Sequence, residues 1–325
     1  MDKSIDVLCI GNATIDVFVL LKNLQKFSYD KFSNNISFPL GEKIPLDEHR
    51  LTLGGNAANL AVGLKRLGLN TSLAAEIGSD EFSEKIVNTL KKEEVDQTYM
   101  KKGDRQTPYF NIVLSYGGDR TILDERTPSE EIIEIGNANP KYFYLTGLNG
   151  NWEKIFSDAI LNNPSSLLAF NPGSRQLNEG FEKTLEILNK IEILFVNLTE
   201  AQKIVGDQET DVKSLMTKLK EKGSKIAVVT DGINGSYTID KNGNIFHVGP
   251  LSKDRPTERT GAGDSYAGAF LYAIIKGKNV EEAMRFGAIN ADSVIRKIGA
   301  QDGLLKEKEI EQISNENQNF KAVKI

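Results

Sequence analysis

The sequence predicts an α/β protein: a mostly parallel sheet covered by helices on both faces, with a small β-structured lid projecting from it. Short apolar runs alternate with amphipathic stretches through most of the chain, the pattern of strands joined by crossover helices. Glycines at 261 and 263 open a strongly apolar helical run. A length of 325 residues gives room for one large α/β domain with additions, or for two smaller domains.

Residues 6–10 form a short apolar run that stops at Gly11 and fits a buried strand. Gly11, Asn12, Ala13, Thr14, Ile15 and Asp16 follow. Asp16 falls where the chain leaves the strand end, the place at which open sheets hold ligands; a turn-capping aspartate is the structural alternative. Residues 22–50 carry Phe27, Phe32, Phe38, Pro39 and Pro45 without a sustained period, as expected of short strands in a lid rather than of a long bare loop. Gly54, Gly55 and Asn56 then lead into a helix with Ala58, Ala61, Val62 and Leu64 inward and Gly68 as its stop. Asn59 lies past the capping position, so its amide is expected to be free to bind a ligand.

Residues 71–77 read as a strand, and Asp80 starts a helix through Phe82, Ile86, Val87 and Leu90. Residues 109–114 and 121–123 flank Gly117, Gly118 and Asp119, a hairpin signal and a second lid segment. Apolar runs at 142–145, 167–170, 193–196 and 226–229 supply further strands, with amphipathic stretches around 152–161, 181–189 and 212–221 between them. Lys241 to Asn244 turn a last hairpin between 237–239 and 245–248. We expect one domain over 1–310, with lid segments near 17–50 and 108–124 inserted in it, and a polar C-terminal tail over 311–325.

The stretch Thr260, Gly261, Ala262, Gly263, Asp264 puts an anion site and a potential base side by side. Ala267, Phe270, Leu271, Ile274 and Ile275 stand at helical spacing after it, with Gly277 as the stop, so Gly261 to Asp264 should be a helix mouth. Its backbone N–H groups lack intrahelical partners, and glycines let a phosphate approach them. A carboxylate beside such a site repels a ground-state phosphate. It makes sense as a base that takes the proton of an attacking hydroxyl, while the amides hold the developing charge. An acidic first-turn residue on a glycine-softened helix start is the structural alternative.

Two further pieces fall at strand ends. Asn197 and Glu200 set an amide and a carboxylate one turn apart, suited to metal-bound waters near a phosphate or to a plain helix cap. Thr230, Asp231, Gly232, Ile233, Asn234 and Gly235 run a strand into a glycine turn that could pass a nucleotide or start the next hairpin.

Other chemistries find little material. The net charge of -5 gives no general attraction to nucleic acid or anionic lipid, so any phosphate must be held locally. A single cysteine, Cys9, sits in an apolar run and excludes an internal disulfide framework. His49 and His247 stand far apart, which leaves a histidine-led triad or zinc site little to work with. No leader-like N-terminus and no run of about eighteen apolar residues occurs, so a cytoplasmic location is expected. The glycine spacing at 261, 263 and 268 differs from a dinucleotide fingerprint, and no glycine loop ends in Gly-Lys-Ser or Gly-Lys-Thr.

Taken together, these pieces resemble the ribokinase-like, or PfkB, family of carbohydrate and nucleoside kinases, from the first strand to about residue 304. Gly11 to Asp16, Gly54 to Asn59, Asn197 with Glu200, Thr230 to Gly235, Thr260 to Asp264, and Gly299, Ala300 and Gln301 carry the resemblance in the family's order.

The resemblance implies a ribokinase-like three-layer sandwich with a β-sheet lid, and transfer of the γ-phosphoryl group of ATP to a hydroxyl of a small, ribose- or fructose-type carbohydrate. Asp264 would be the base, and Gly261, Ala262 and Gly263 the anion hole. Asp16, Asn12, Gly54, Gly55 and Asn59 would bind the acceptor, Asn197 and Glu200 would organise Mg2+ through water, and Thr230, Gly232 and Gly235 would line the nucleotide. An exposed lid sheet could pair with a second copy of the chain. A nucleoside kinase, or a sugar or nucleotide sensor without catalysis, are the alternatives on the same scaffold. Three departures stand out. Glu258 and Arg259 replace the Asp-Thr often tied to a monovalent-cation site, leaving such a cation open. Asn56 stands where ribokinases carry lysine, and Ala288 where relatives often carry an adenine-side asparagine, with Asn290 two residues on.

Overall fold

Strand by strand, the apolar runs pair into one nine-stranded sheet. Its order is Val323–Lys324, Ile245–Val248, Ser236–Ile239, Ile226–Thr230, Ile193–Asn197, Leu167–Phe170, Tyr142–Leu145, Val7–Ile10, Thr71–Ala74. From Thr71–Ala74 to Ile226–Thr230 all pairings are parallel, and the remainder are antiparallel. The computed structural model describes residues 4–21, 27–33, 35–107, 110–124, 133–148, 150–178, 181–206 and 209–325.

Alternation along each strand divides the interior between two cores. Val7 and Cys9 face a core built with helices Asn56–Arg66, Ala262–Ile275 and Val280–Ile295. Leu8 and Ile10 face a second core, built with Trp152–Asn162, Leu198–Val205 and Val212–Glu221. Both faces are dry, which is why these strands read as continuous apolar runs rather than as alternating ones. Phe143, Phe156, Phe170 and Phe270 are fully buried, and each such side chain contributes about 1.5–3 kcal/mol by leaving water. Burial pushes the Cys9 thiol up, as expected of a core cysteine.

The lid is a four-stranded sheet in the order Asp119–Asp124, Phe110–Tyr116, Thr14–Leu20, Glu48–Gly54. It reaches further toward the main sheet than 17–50, because Thr14 pairs with Gly54 and Asp16 stands opposite both Thr52 and Asn111. Residues 22–26, 34 and 108–109 of the expected lid, Tyr109 among them, lie outside the described residues. A hairpin of Ser28–Asp30 with Asn35–Ser37 adds to it, and Val19, Leu21 and Phe27 form its own small core.

Two expectations are corrected. The strand over 71–77 divides, with Thr71–Ala74 in the main sheet and Glu76–Ile77 paired to Lys101–Lys102. Residues 311–325, expected as a polar tail, carry regular structure. Helix Glu307–Glu316 runs through their start on a fully buried Ile310, and Val323–Lys324 extends the main sheet at Ile245–Val248. A two-residue edge strand and a helix anchored by so few apolar residues leave little pattern to read. Among the described residues, no helix is long and apolar enough to cross a membrane.

Candidate active site

The parallel strands end on one side, and residues at or just beyond their C-terminal ends line a cleft of about 680 Å3. Asn12, Gly147, Asn171, Asn197 and Thr230 all enter it this way. The lid contributes Asp16, Asn111 and Arg120 from the other side.

At the floor lies the helix mouth. Gly261, with φ of +81°, precedes helix Ala262–Ile275 and offers no side-chain cap. A Cβ there would come within 2.6 Å of Ala300 Cβ, so only glycine fits the turn against Ala300. The amides of Gly261, Gly263 and Asp264 make no hydrogen bond among the described residues, which leaves donors aimed at the cleft. Ala262 differs from expectation: its N–H donates to Arg259 O at 3.3 Å, because the left-handed Gly261 folds the chain back on itself.

Asp264 is half-buried in this mouth. Asn59 Nδ2 donates to its Oδ2 at 2.9 Å, and Gln301 Nε2 donates to Asn59 Oδ1 at 3.0 Å. The Asn59 amide is therefore not free, as its position past the cap had suggested; it orients the carboxylate. Burial pushes the Asp264 carboxyl up to about 7, with Asp16 and Glu200 adding to the rise and the Asn59 bond and Arg120 opposing it.

Asp16 is buried across the cleft. Its Oδ1 accepts from Thr14 Oγ1 at 2.8 Å and from Asn111 Nδ2 at 2.9 Å, and burial raises its pKa. Gly54 leaves room for this carboxylate, since a Cβ would stand 2.1 Å from Asp16 Oδ2. Asn12 Oδ1 is buried without a hydrogen-bond partner among the described residues, so it is an acceptor in search of a donor. Gly55 lies beside it, at the entrance to helix Asn56–Arg66. Asn111 was missed in the sequence, although its strand was legible, because only the register opposite Asp16 gives it a role.

Asn197 and Glu200 form a capping box: Asn197 Oδ1 accepts from Glu200 N and Glu200 Oε2 from Asn197 N, both at 2.9 Å. The capping alternative is thus realised. Both residues also line the cleft, and burial raises the Glu200 pKa. Thr230 stands between this cleft and a second cavity of about 510 Å3, which Gly232, Ile233, Gly235, Leu251, Ala288 and Ile295 help to line.

A family model for the pfkB family carbohydrate kinases matches residues 6–307. The chain belongs to this family. The kinase is 25% identical to a 5-dehydro-2-deoxygluconokinase of Bacillus subtilis, over 96% of both chains. It is 26% identical to a nucleoside kinase of Methanocaldococcus jannaschii, over 92% of this chain and 93% of that one. Its fold matches the crystal structure of adenosine kinase from Sinorhizobium meliloti with a TM-score of 0.76 at 21% identity, covering 96% and 100% of the two chains.

Inside this kinase the departures noted in the sequence have local structural reasons. Asn290 points into the core, where it donates to Ser265 O and accepts from Leu305 N, so it is no stand-in for a base-reading asparagine. Ala288 lines the second cavity and leaves its wall apolar. Glu258 is buried, and its carboxylate accepts from Thr260 N at 2.7 Å and from Thr260 Oγ1 at 2.8 Å. Neither Glu258 nor Arg120 was singled out from the sequence as a site residue.

Proposed function

We propose that this kinase transfers the γ-phosphoryl group of ATP to a hydroxyl of a small, ribose- or fructose-type carbohydrate, with Asp264 as the base. The observation that carries the reading is the single cleft in which a carboxyl pushed up to about 7 shares a helix mouth with unbonded amides. Phosphoryl transfer asks the protein for position and charge compensation, which needs neither histidine nor cysteine.

In this reading Asp16 and Asn12 bind acceptor hydroxyls, with Gly54 and Gly55 keeping the approach clear and Asn59 holding Asp264 in place. Asp264 takes the proton of the attacking hydroxyl, and the amides of Gly261, Gly263 and Asp264 meet the charge on the moving group. Thr230, Gly232 and Gly235 border the nucleotide, whose base suits the apolar second cavity. Mg2+ takes few protein ligands and keeps its waters, so the cleft-lining carboxylate of Glu200, with Asn197, fits a water-mediated site. When bound, the ion offsets phosphate charge. A lid above the cleft excludes water that would otherwise accept the phosphoryl group.

A keto-sugar acid is the second reading for the acceptor. The relatives named 5-dehydro-2-deoxygluconokinase act on such a compound, and Arg175 brings a cation to the same cleft. A coupled ADP-release screen over pentoses, hexoses, sugar acids and nucleosides tests both readings. Release with nucleosides alone moves the assignment to a nucleoside kinase, and no release with any acceptor favours a non-catalytic sensor.

A further inference from the structure

Glu258 presents a buried charge whose balance comes from a distant part of the chain. Its backbone is pinned behind the anion-binding mouth, since Thr257 N and Glu258 N both donate to Ile295 O, at 2.8 and 3.3 Å. Its carboxylate is 2% exposed and clasps Thr260 through both the backbone N–H and the hydroxyl. Thr260 is the residue before Gly261, so this clasp sets the direction from which the chain enters the helix mouth.

Arg120 supplies the counter-charge. It belongs to the lid strand Asp119–Asp124, and its Nε stands 3.9 Å from Glu258 Oε1, at ion-pair range but beyond a direct hydrogen bond. Two further links join the same segments: Arg255 Nη2 donates to Gly117 O, and Arg259 Nη1 pairs with Asp119 Oδ1 at 2.9 Å. The Arg259 pair is well exposed on both sides and contributes little. The Glu258 pair differs, because Arg120 is the one cation paired with this buried carboxylate among the described residues, and losing it leaves the carboxylate uncompensated.

We infer that Glu258 and Arg120 are positioning residues that couple the lid to the anion hole. With the lid strand over the cleft, Arg120 balances Glu258 and the Thr260 clasp holds Gly261 in its left-handed turn. With the lid lifted, the carboxylate is unbalanced and the clasp loosens, so the amides are aligned for phosphate only when the acceptor is covered. The inference rests on reading Gly261 to Asp264 as the anion hole, and Arg120 acts through Glu258 rather than on a substrate.

Hydrogen–deuterium exchange over residues 256–264, followed in the whole protein with ADP bound, tests the coupling without any acceptor. Exchange at Thr260, whose N–H donates to Glu258, should speed up about tenfold in Arg120→Gln and stay close to wild type in Arg120→Lys. Unchanged exchange in Arg120→Gln overturns the inference, whether or not an acceptor is ever found.

A double-mutant cycle on kcat supplies the second arm. Arg120→Gln and Glu258→Gln should each lower kcat, and the double variant should recover about tenfold relative to the product of the two losses, because it removes both charges of the pair. Losses that multiply would mean that Arg120 acts without Glu258, through the charge it places near Asp264 and Asp16 or on the bound molecules directly, and would sink the positioning role. A wild-type protein inactive with every acceptor would defeat the kinase reading alone, leaving the exchange measurement to decide on the coupling.

Discussion

Replacing Asp264 by Asn isolates the carboxylate proposed as the base. The variant keeps the shape and an oxygen that can accept from Asn59 Nδ2, now at 2.9 Å, but it cannot take a proton. A positioned base is worth roughly a hundred- to ten-thousand-fold, so kcat should fall by that factor with nucleotide affinity nearly unchanged. In the wild type the base must be ionised, so kcat/KM should climb with pH and level off above about 7.

The same carboxyl bears on stability. Between 3.8 and about 7 the folded chain holds a proton that the unfolded chain has released. Its contribution is complete below 3.8 and is lost as pH rises through about 7. A gap of about 3 pH units corresponds to ~4 kcal/mol at most, and water in the cleft reduces this to roughly 1–2 kcal/mol. Asp264→Asn should therefore resist urea better than wild type at alkaline pH and equally well in acid. Stopped-assay kinetics and paired urea titrations measure both effects. Full turnover in the variant, or a wild-type profile flat from about pH 5 to about pH 8, would refute the reasoning.

Asp16→Ala should raise the acceptor KM by roughly ten- to a hundredfold, because acceptor hydroxyls lose a buried partner; an effect confined to nucleotide affinity would place the acceptor at the wrong end. Ile233, 78% exposed at the rim of the apolar cavity, should pack on the nucleobase. Ile233→Ser is expected to weaken ADP binding in calorimetry about three- to tenfold and to leave the acceptor KM alone. Because Arg120 already faces the Glu258 carboxylate, turnover should be the same in potassium and choline salts, and a large gain in potassium would contradict that.

What could be read from residues alone was whatever depends on local spacing. Continuous apolar runs such as 142–145 and 193–196 declared buried parallel strands, since a strand dry on both faces has no polar alternation. The helix mouth at Gly261 to Asp264 was legible for the same reason: a glycine pair before an apolar helix leaves bare amides whatever the rest of the chain does. The strands of the lid at 110–116 and 119–124 were visible through the glycine turn between them.

Tertiary structure alone decided the partners of those groups. Asn59 holds Asp264 across 205 residues of sequence, Asn111 meets Asp16 across 95, and Arg120 reaches Glu258 from the lid. Spacing cannot announce such pairs, because a carboxylate's proton affinity and a buried charge's balance are set by what surrounds them in space. The chain written out in order points to the proposed base, and the folded chain determines what proton affinity it has and which residues hold it.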